Sequence, residues 1–225
     1  MNNNIQKGYD EYKKFLNAFF PKFKINDEVL FPFYCHINNA FVLYDVMLEH
    51  EKVDRTSNYH SILLESREFY ARLLTIVAIN DKYLIDNILR LIVEKIYRIL
   101  FGITKPLKQE STIRKISREK MKSEISKVSG EDEVIDELNK LYNDYSVKIH
   151  HTVSVPSDYY NLTKRLVMDS DEFLQDVVED MSKLETIFIN KIFNFLVIDS
   201  EKEDTSFKMR IRNNTTDDII KQVGL

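Results

Sequence analysis

The stretch YLIDNILRLIVEKIYRILFG, Tyr83–Gly102, decides the fold. At about 100° per residue its Leu and Ile side chains cover more than half of a helical circumference. Such a helix is touched on several sides and belongs at the centre of a bundle. The segment also carries Asp86, Arg90, Glu94, Lys95 and Arg98, too many charges for an ordinary membrane span.

Outward from this segment the chain reads as further helices. The expected spans are Ile5–Phe20, Pro32–Lys52, Ser57–Ile79, Asp81–Phe101 with Gly102 as its stop, Glu110–Val128, Glu131–His150, and Asp169 or Ser170 to Ile198. Ser57 is a good N-cap, and the acids Glu131, Asp132 and Glu133 suit the positive end of a helix dipole. In the last span Phe173, Leu174, Val177, Met181, Leu184, Phe188, Ile192 and Phe195 step by three and four, which predicts one buried stripe. With 4 Gly and 4 Pro in 225 residues there is little turn material for many short strands.

The tail has a different rhythm. SFKMRIRN alternates Phe207, Met209 and Ile211 with Lys208, Arg210 and Arg212, and HTVSV at 151–155 alternates too. Period two predicts a short strand, and a two-stranded ribbon would pair the two stretches. The expected fold is therefore all-α: a multi-helix bundle over 1–198 with a C-terminal tail, 199–225, that forms a short strand or ribbon and then a short helix.

The net charge is −4 and the pI about 5.8, so any nucleic-acid role must be local. Between Lys105 and Lys127 eight basic residues face three glutamates, a net of +5, and five acids follow between Glu131 and Glu137. Arg114, Arg118 and Lys122 stand at i, i+4, i+8, where like charges repel unless an anion lies opposite. That anion is either the neighbouring acids or RNA. The lone Cys35 forms no internal disulfide and sits in an apolar stretch, as a buried small hydrophobe would. The polar N-terminus lacks the apolar run of a signal peptide, and a reducing, cytoplasmic setting is expected. No nucleotide-binding glycine motif, nucleophile elbow or HExxH occurs, so neither cofactor nor metal is expected.

Three groups of residues carry chemistry. Asp86, Arg90, Glu94 and Arg98 repeat every fourth residue with alternating sign, either a salt-bridge ladder or the floor of a polar cleft. On the wheel of 131–150, Ile135, Leu138, Leu141, Tyr142, Tyr145 and Ile149 form the apolar face. His150 falls at its border beside Asn139, Asn143 and Ser146, which suits an imidazole whose tautomer must be fixed. The third group is Arg55 and His60, in RTSNYH.

The core segment NILRLIVEKIYRILFG and the helix end LYNDYSVKIHHT resemble the HEPN superfamily, helical domains found in many RNA-targeting toxins and phage-defence proteins. The resemblance spans about Arg67 to Leu196. It implies a homodimer in which an Arg and a His separated by four to six residues build a metal-independent ribonuclease site. In such a site Arg would stabilise the phosphate charge and His would act as general acid or base. Before His150 the matching positions hold Asn143, Asp144 and Tyr145 instead of Arg. The literal spacing occurs at Arg55 and His60, on an earlier helix. An active ribonuclease and a catalytically silent relative are thus equal readings. An interaction module that holds a partner protein, with no catalysis, is the alternative. A homodimer is also expected because Phe33–Leu48 is apolar on several faces.

Overall fold

The computed structural model describes residues 3–50, 53, 55–129, 133–151, 171–197 and 205–225, and within the helices it leaves aside the side chains of 128, 129, 134, 150, 151 and 197. Among the described residues the regular structure is helical and contains no strand. The helices are α1 (Asn3–Phe19), α2 (Asp27–Glu49), α3 (His60–Ile79), α4 (Lys82–Thr104), α5 (Glu110–Lys115), α6 (Arg118–Ser129) and α7 (Glu133–His151). After these come α8 (Asp171–Phe188), α9 (Thr205–Asn214) and α10 (Asp217–Gln222). From α8 the chain runs on through a π-helical turn, Ile189–Phe193, into a last α-turn, Asn194–Val197.

The architecture has two hubs. α4 packs against α3, α5, α6 and α7, and α2 packs against α1, α3, α8 and α9. On α4, Ile85, Leu89, Ile92, Val93, Ile96 and Ile99 are wholly buried. Each such side chain contributes about 1.5–3 kcal/mol by leaving water. The apolar residues of α2 pack against α1, α3, α8 and α9 within one chain, with Phe31, Tyr34, Phe41, Val42 and Leu48 partly buried. No helix among the described residues is long and apolar enough to cross a membrane.

Helix ends follow local chemistry. Asn80 stops α3 in the left-handed conformation, at φ 66°. Asp81 then caps α4 by accepting from the Leu84 N–H at 3.0 Å. α2 starts five residues before Pro32, because Asn26 accepts from the Glu28 N–H at 3.0 Å and Asp27 and Glu28 favour the first turn. Pro32, inside the helix, forgoes one backbone bond. Gly102 does not end α4, which continues to Thr104. Its role is close approach: a Cβ there would lie 2.8 Å from Asn58 Oδ1 and 3.0 Å from Tyr59 Cβ. Asn58 in turn donates to the carbonyls of Lys105 and Lys108, at 3.0 and 2.7 Å, and clasps the end of the helix.

Two further expectations are corrected. The span from Glu110 to Val128 is broken at Ile116, which is extended (ψ 141°), so α5 and α6 point differently. The strand expected at SFKMRIRN is α9. Phe207 and Ile211 are also i and i+4, which places both against the body while Met209 is exposed. Alternation over three apolar residues cannot tell the two geometries apart. The other half of the expected ribbon, beyond His151, lies outside the described residues.

The described tail shares the main core through Ile211, Ile219 and Val223. Polar bonds fix it to α2. Asn38 donates to the Asn214 carbonyl at 2.7 Å, and Asn39 exchanges two bonds of 3.1 Å with Thr216.

Candidate nucleic-acid interface

α4, α6 and α7 bring one group of polar residues together. Leu138, Leu141, Tyr145 and Ile149 bury the inner face of α7. That leaves Asn139, Tyr142, Asn143 and Ser146 along its border toward α6 and the first half of α4. Arg118, the first residue of α6, donates from one guanidinium nitrogen to Asn139 Oδ1 at 3.0 Å and to Asn143 Oδ1 at 2.8 Å. Its guanidinium carbon stands 4.2 Å from the Tyr142 ring centre. Arg90 approaches the same tyrosine from α4, 5.6 Å from the ring centre, and donates to its hydroxyl at 3.0 Å. Tyr142 is thus a shared platform for two cations.

The charge is little compensated. Among the described residues the sole carboxylate within ion-pair reach of Arg90 or Arg118 is the exposed Glu119, 3.4 Å from Arg118. Lys122 pairs with the exposed Asp136 at 3.1 Å. A groove of about 410 Å³ opens here, lined by Arg118, Glu119, Lys122, Ser123, Ser126 and Asn139.

Beneath this patch the α4–α7 seam is incompletely paired. Asp86 Oδ1, Arg90 Nε and Ser146 Oγ are buried without a hydrogen-bond partner. Asp86 is 5% exposed, and burial pushes its carboxyl up to about 6, against the weaker pull of Lys148 and Lys82. Close by, the buried Tyr145 donates to Asp180 Oδ2 at 2.7 Å, and Asp180 also holds Lys183 at 2.9 Å.

The four-residue stripe on α4 is therefore split. Glu94 and Arg98 pair at 2.7 Å, and Arg98 also donates to the Ile113 carbonyl. Asp86 and Arg90 make no such rung. Arg114, which the sequence aligns with Arg118 and Lys122, turns the other way. It binds Glu65 and Glu110, each at 2.6 Å, while Lys95 binds Glu65 as well. Bonds from Arg114, then Lys95, hold the Glu65 carboxyl down at about 2.

The remaining site residues are spread out. Arg55 is exposed on the turn before α3, and His60 opens α3 half-buried. No hydrogen bond or ion pair joins them among the described residues. His150 stands on the last turn of α7, and its side chain lies outside the described residues. Arg118 meets α7 at Asn143, two turns or about 10 Å before it.

Sequence reasoning missed two features. Tyr142 reads as an ordinary member of an apolar face, and no pattern marks it as a platform. His36 Nδ1 and Glu185 Oε2 lie 2.9 Å apart between α2 and α8, both largely buried, with Glu185 Oε1 unpartnered. They are 149 residues apart, so no local spacing reveals them.

Fold and site together define an all-helical bundle protein with a groove lined by Arg118, Lys122 and Asn139 on one side, and Asn143 bonded to Arg118 beside it. No family model, no curated protein and no solved structure matches this chain.

Proposed function

We propose that this chain is an intracellular HEPN-like helical protein that binds RNA along the α6–α7 groove, in a defence or toxin-like setting. One observation supports the reading above the rest. Arg90 and Arg118 are held on one aromatic ring beside a groove, with almost no acidic compensation, in a chain whose net charge is −4. Guanidinium groups on an aromatic face suit a phosphate backbone and stacked bases.

In this reading a strand held at Arg118 runs along α7 toward His150. An active form uses His150 as general acid or base, with His60 as the competing assignment. A silent form keeps the groove and lacks the chemistry. The homodimer rests on the family resemblance, and light scattering on the eluting protein reads it directly.

Incubation with structured RNA, with and without EDTA, tests the proposal. Cleavage that survives EDTA and disappears in His150→Ala marks an active enzyme. Salt-dependent binding without cleavage marks the silent form. Absence of binding to any RNA at about 100 mM salt rejects the proposal.

One observation favours the alternative of an interaction module. Phe15, Phe19 and Phe20 cluster at the end of α1, with ring centres 5.1 and 5.8 Å from Phe15, and Phe19 is 70% exposed. Such an aromatic tip suits a partner protein.

A further inference from the structure

The donor chemistry around Arg118 narrows what the groove can take. A guanidinium carries donors and no acceptor, so the amide atoms it meets on Asn139 and Asn143 must be their oxygens. Both NH₂ groups then turn away from Arg118. Among the described residues neither donates to a protein acceptor. Arg118, Lys122 and Ser126 follow one another at i, i+4, i+8 on α6, about 6 Å apart along its axis. That step is close to the separation of neighbouring phosphates on one extended strand. Glu119 is the one carboxylate lining the groove, and the exposed Asp136, 3.1 Å from Lys122, is the acid that a phosphate there displaces.

From this set, resting on the RNA reading above, we infer that the groove is a sequence-indifferent phosphodiester site. Consecutive phosphates of a single strand lie along Arg118, Lys122 and Ser126 and accept from the amides of Asn139 and Asn143. A base edge mixes donors with acceptors and is a poor match for a wall whose charged donors are Arg118 and Lys122 and whose amide NH₂ groups point away from Arg118. A non-bridging phosphate oxygen only accepts, so it fits. Arg118 acts twice: it supplies charge, and it fixes which end of each amide faces outward.

The test exchanges the amides for carboxylates of the same shape. Asn139→Asp with Asn143→Asp leaves Arg118 in place but neutralises it, as Glu65 and Glu110 neutralise Arg114. Fluorescence anisotropy is read with labelled oligo-U and oligo-A of equal length. Wild type binds the two within about twofold of each other, and the double variant loses about tenfold or more on both. The slope of log affinity against log salt falls by about 0.7 for each phosphate that the protein no longer neutralises. A thermal midpoint no lower than wild type's separates this loss from unfolding. Inorganic tripolyphosphate displaces the strand from wild type.

Strand binding that the double variant leaves unchanged overturns the site and spares the RNA reading. So does a strong preference between oligo-U and oligo-A. Tripolyphosphate that raises the thermal midpoint of wild type alone, with no strand bound, keeps the anion site and removes RNA as its ligand. Binding of neither ligand overturns the inference outright.

Discussion

The two halves of α4 repeat one pattern, an acid followed four residues later by an arginine, and meet opposite surroundings. In the second half Glu94 and Arg98 pair with each other, and Arg98 also holds the Ile113 carbonyl. Beside them Lys95, Glu65, Arg114 and Glu110 close a network in which each charge has an opposite. In the first half Asp86 forms no ion pair among the described residues and feels Lys148 and Lys82 only weakly, while Arg90 rests on a tyrosine, with Arg118 on the same ring and neutral amides as its main partners. A closed network fastens α3, α4 and α5 and has little left to offer a ligand. An open one costs stability, and polar groups kept at such a cost are where a binding function is best sought.

The largest expected effect is on Asp86. Its folded carboxyl titrates near 6 against an ordinary value of 3.8. The proton it retains stabilises the fold fully below pH 3.8, and that contribution is lost as pH rises through about 6. Asp86→Asn should therefore raise stability at pH 8 by up to about 3 kcal/mol and change little at about pH 3.5. Urea unfolding at both pH values checks this. A variant less stable than wild type at the higher pH would show that Asp86 has a partner worth more than its burial costs, and the contrast between the two halves would fail.

Next is Arg98→Met, which removes the centre of the closed half. It leaves Glu94 unpaired and frees the Ile113 carbonyl, for a loss of about 2 kcal/mol. Affinity for RNA should not change, because the residue lies off the groove. Tyr142→Leu reverses the pattern. Stability falls by about 1 kcal/mol, while RNA affinity falls about tenfold because both guanidinium groups lose their platform. Unfolding curves and anisotropy on the same samples separate these outcomes.

How far the sequence could be read depends on the range of the interaction. The stripe from Phe173 to Ile192 is set by spacing along one helix, and its residues are buried as the spacing predicts. It fails at Phe195, which is 70% exposed while Phe193 and Leu196 are buried. The π-turn at Ile189–Phe193 widens the helix and shifts the phase, and no three-and-four count anticipates that. The border position of Asn139, Asn143 and Ser146 on α7 is also a local fact and is legible. Their meeting with Arg118 is not. It depends on the extended residue Ile116, which turns α6 away from the line of α5. The same break turns Arg114 to Glu65 on α3 and Arg118 to Asn139 and Asn143 on α7, though the sequence places them one turn apart.

The smallest expected effect is therefore the sharpest test of the comparison. Counted by charge alone, Arg114 and Arg118 are equivalent, and removing either should weaken RNA binding equally. By environment they differ. Arg114→Gln should lower stability by about 1 kcal/mol, a modest figure because its ion pairs are more than a third exposed and solvent screens them. RNA affinity should change by less than about twofold, since Glu65 and Glu110 already neutralise that guanidinium. Glu65 retains Lys95, so its carboxylate is not left isolated. A loss of affinity as large as that of Arg118→Gln, measured at one salt concentration on one strand, would mean that the basic run acts as a diffuse field. The amides and Tyr142 would then select nothing, and the distinction between the closed and open halves would describe stability alone.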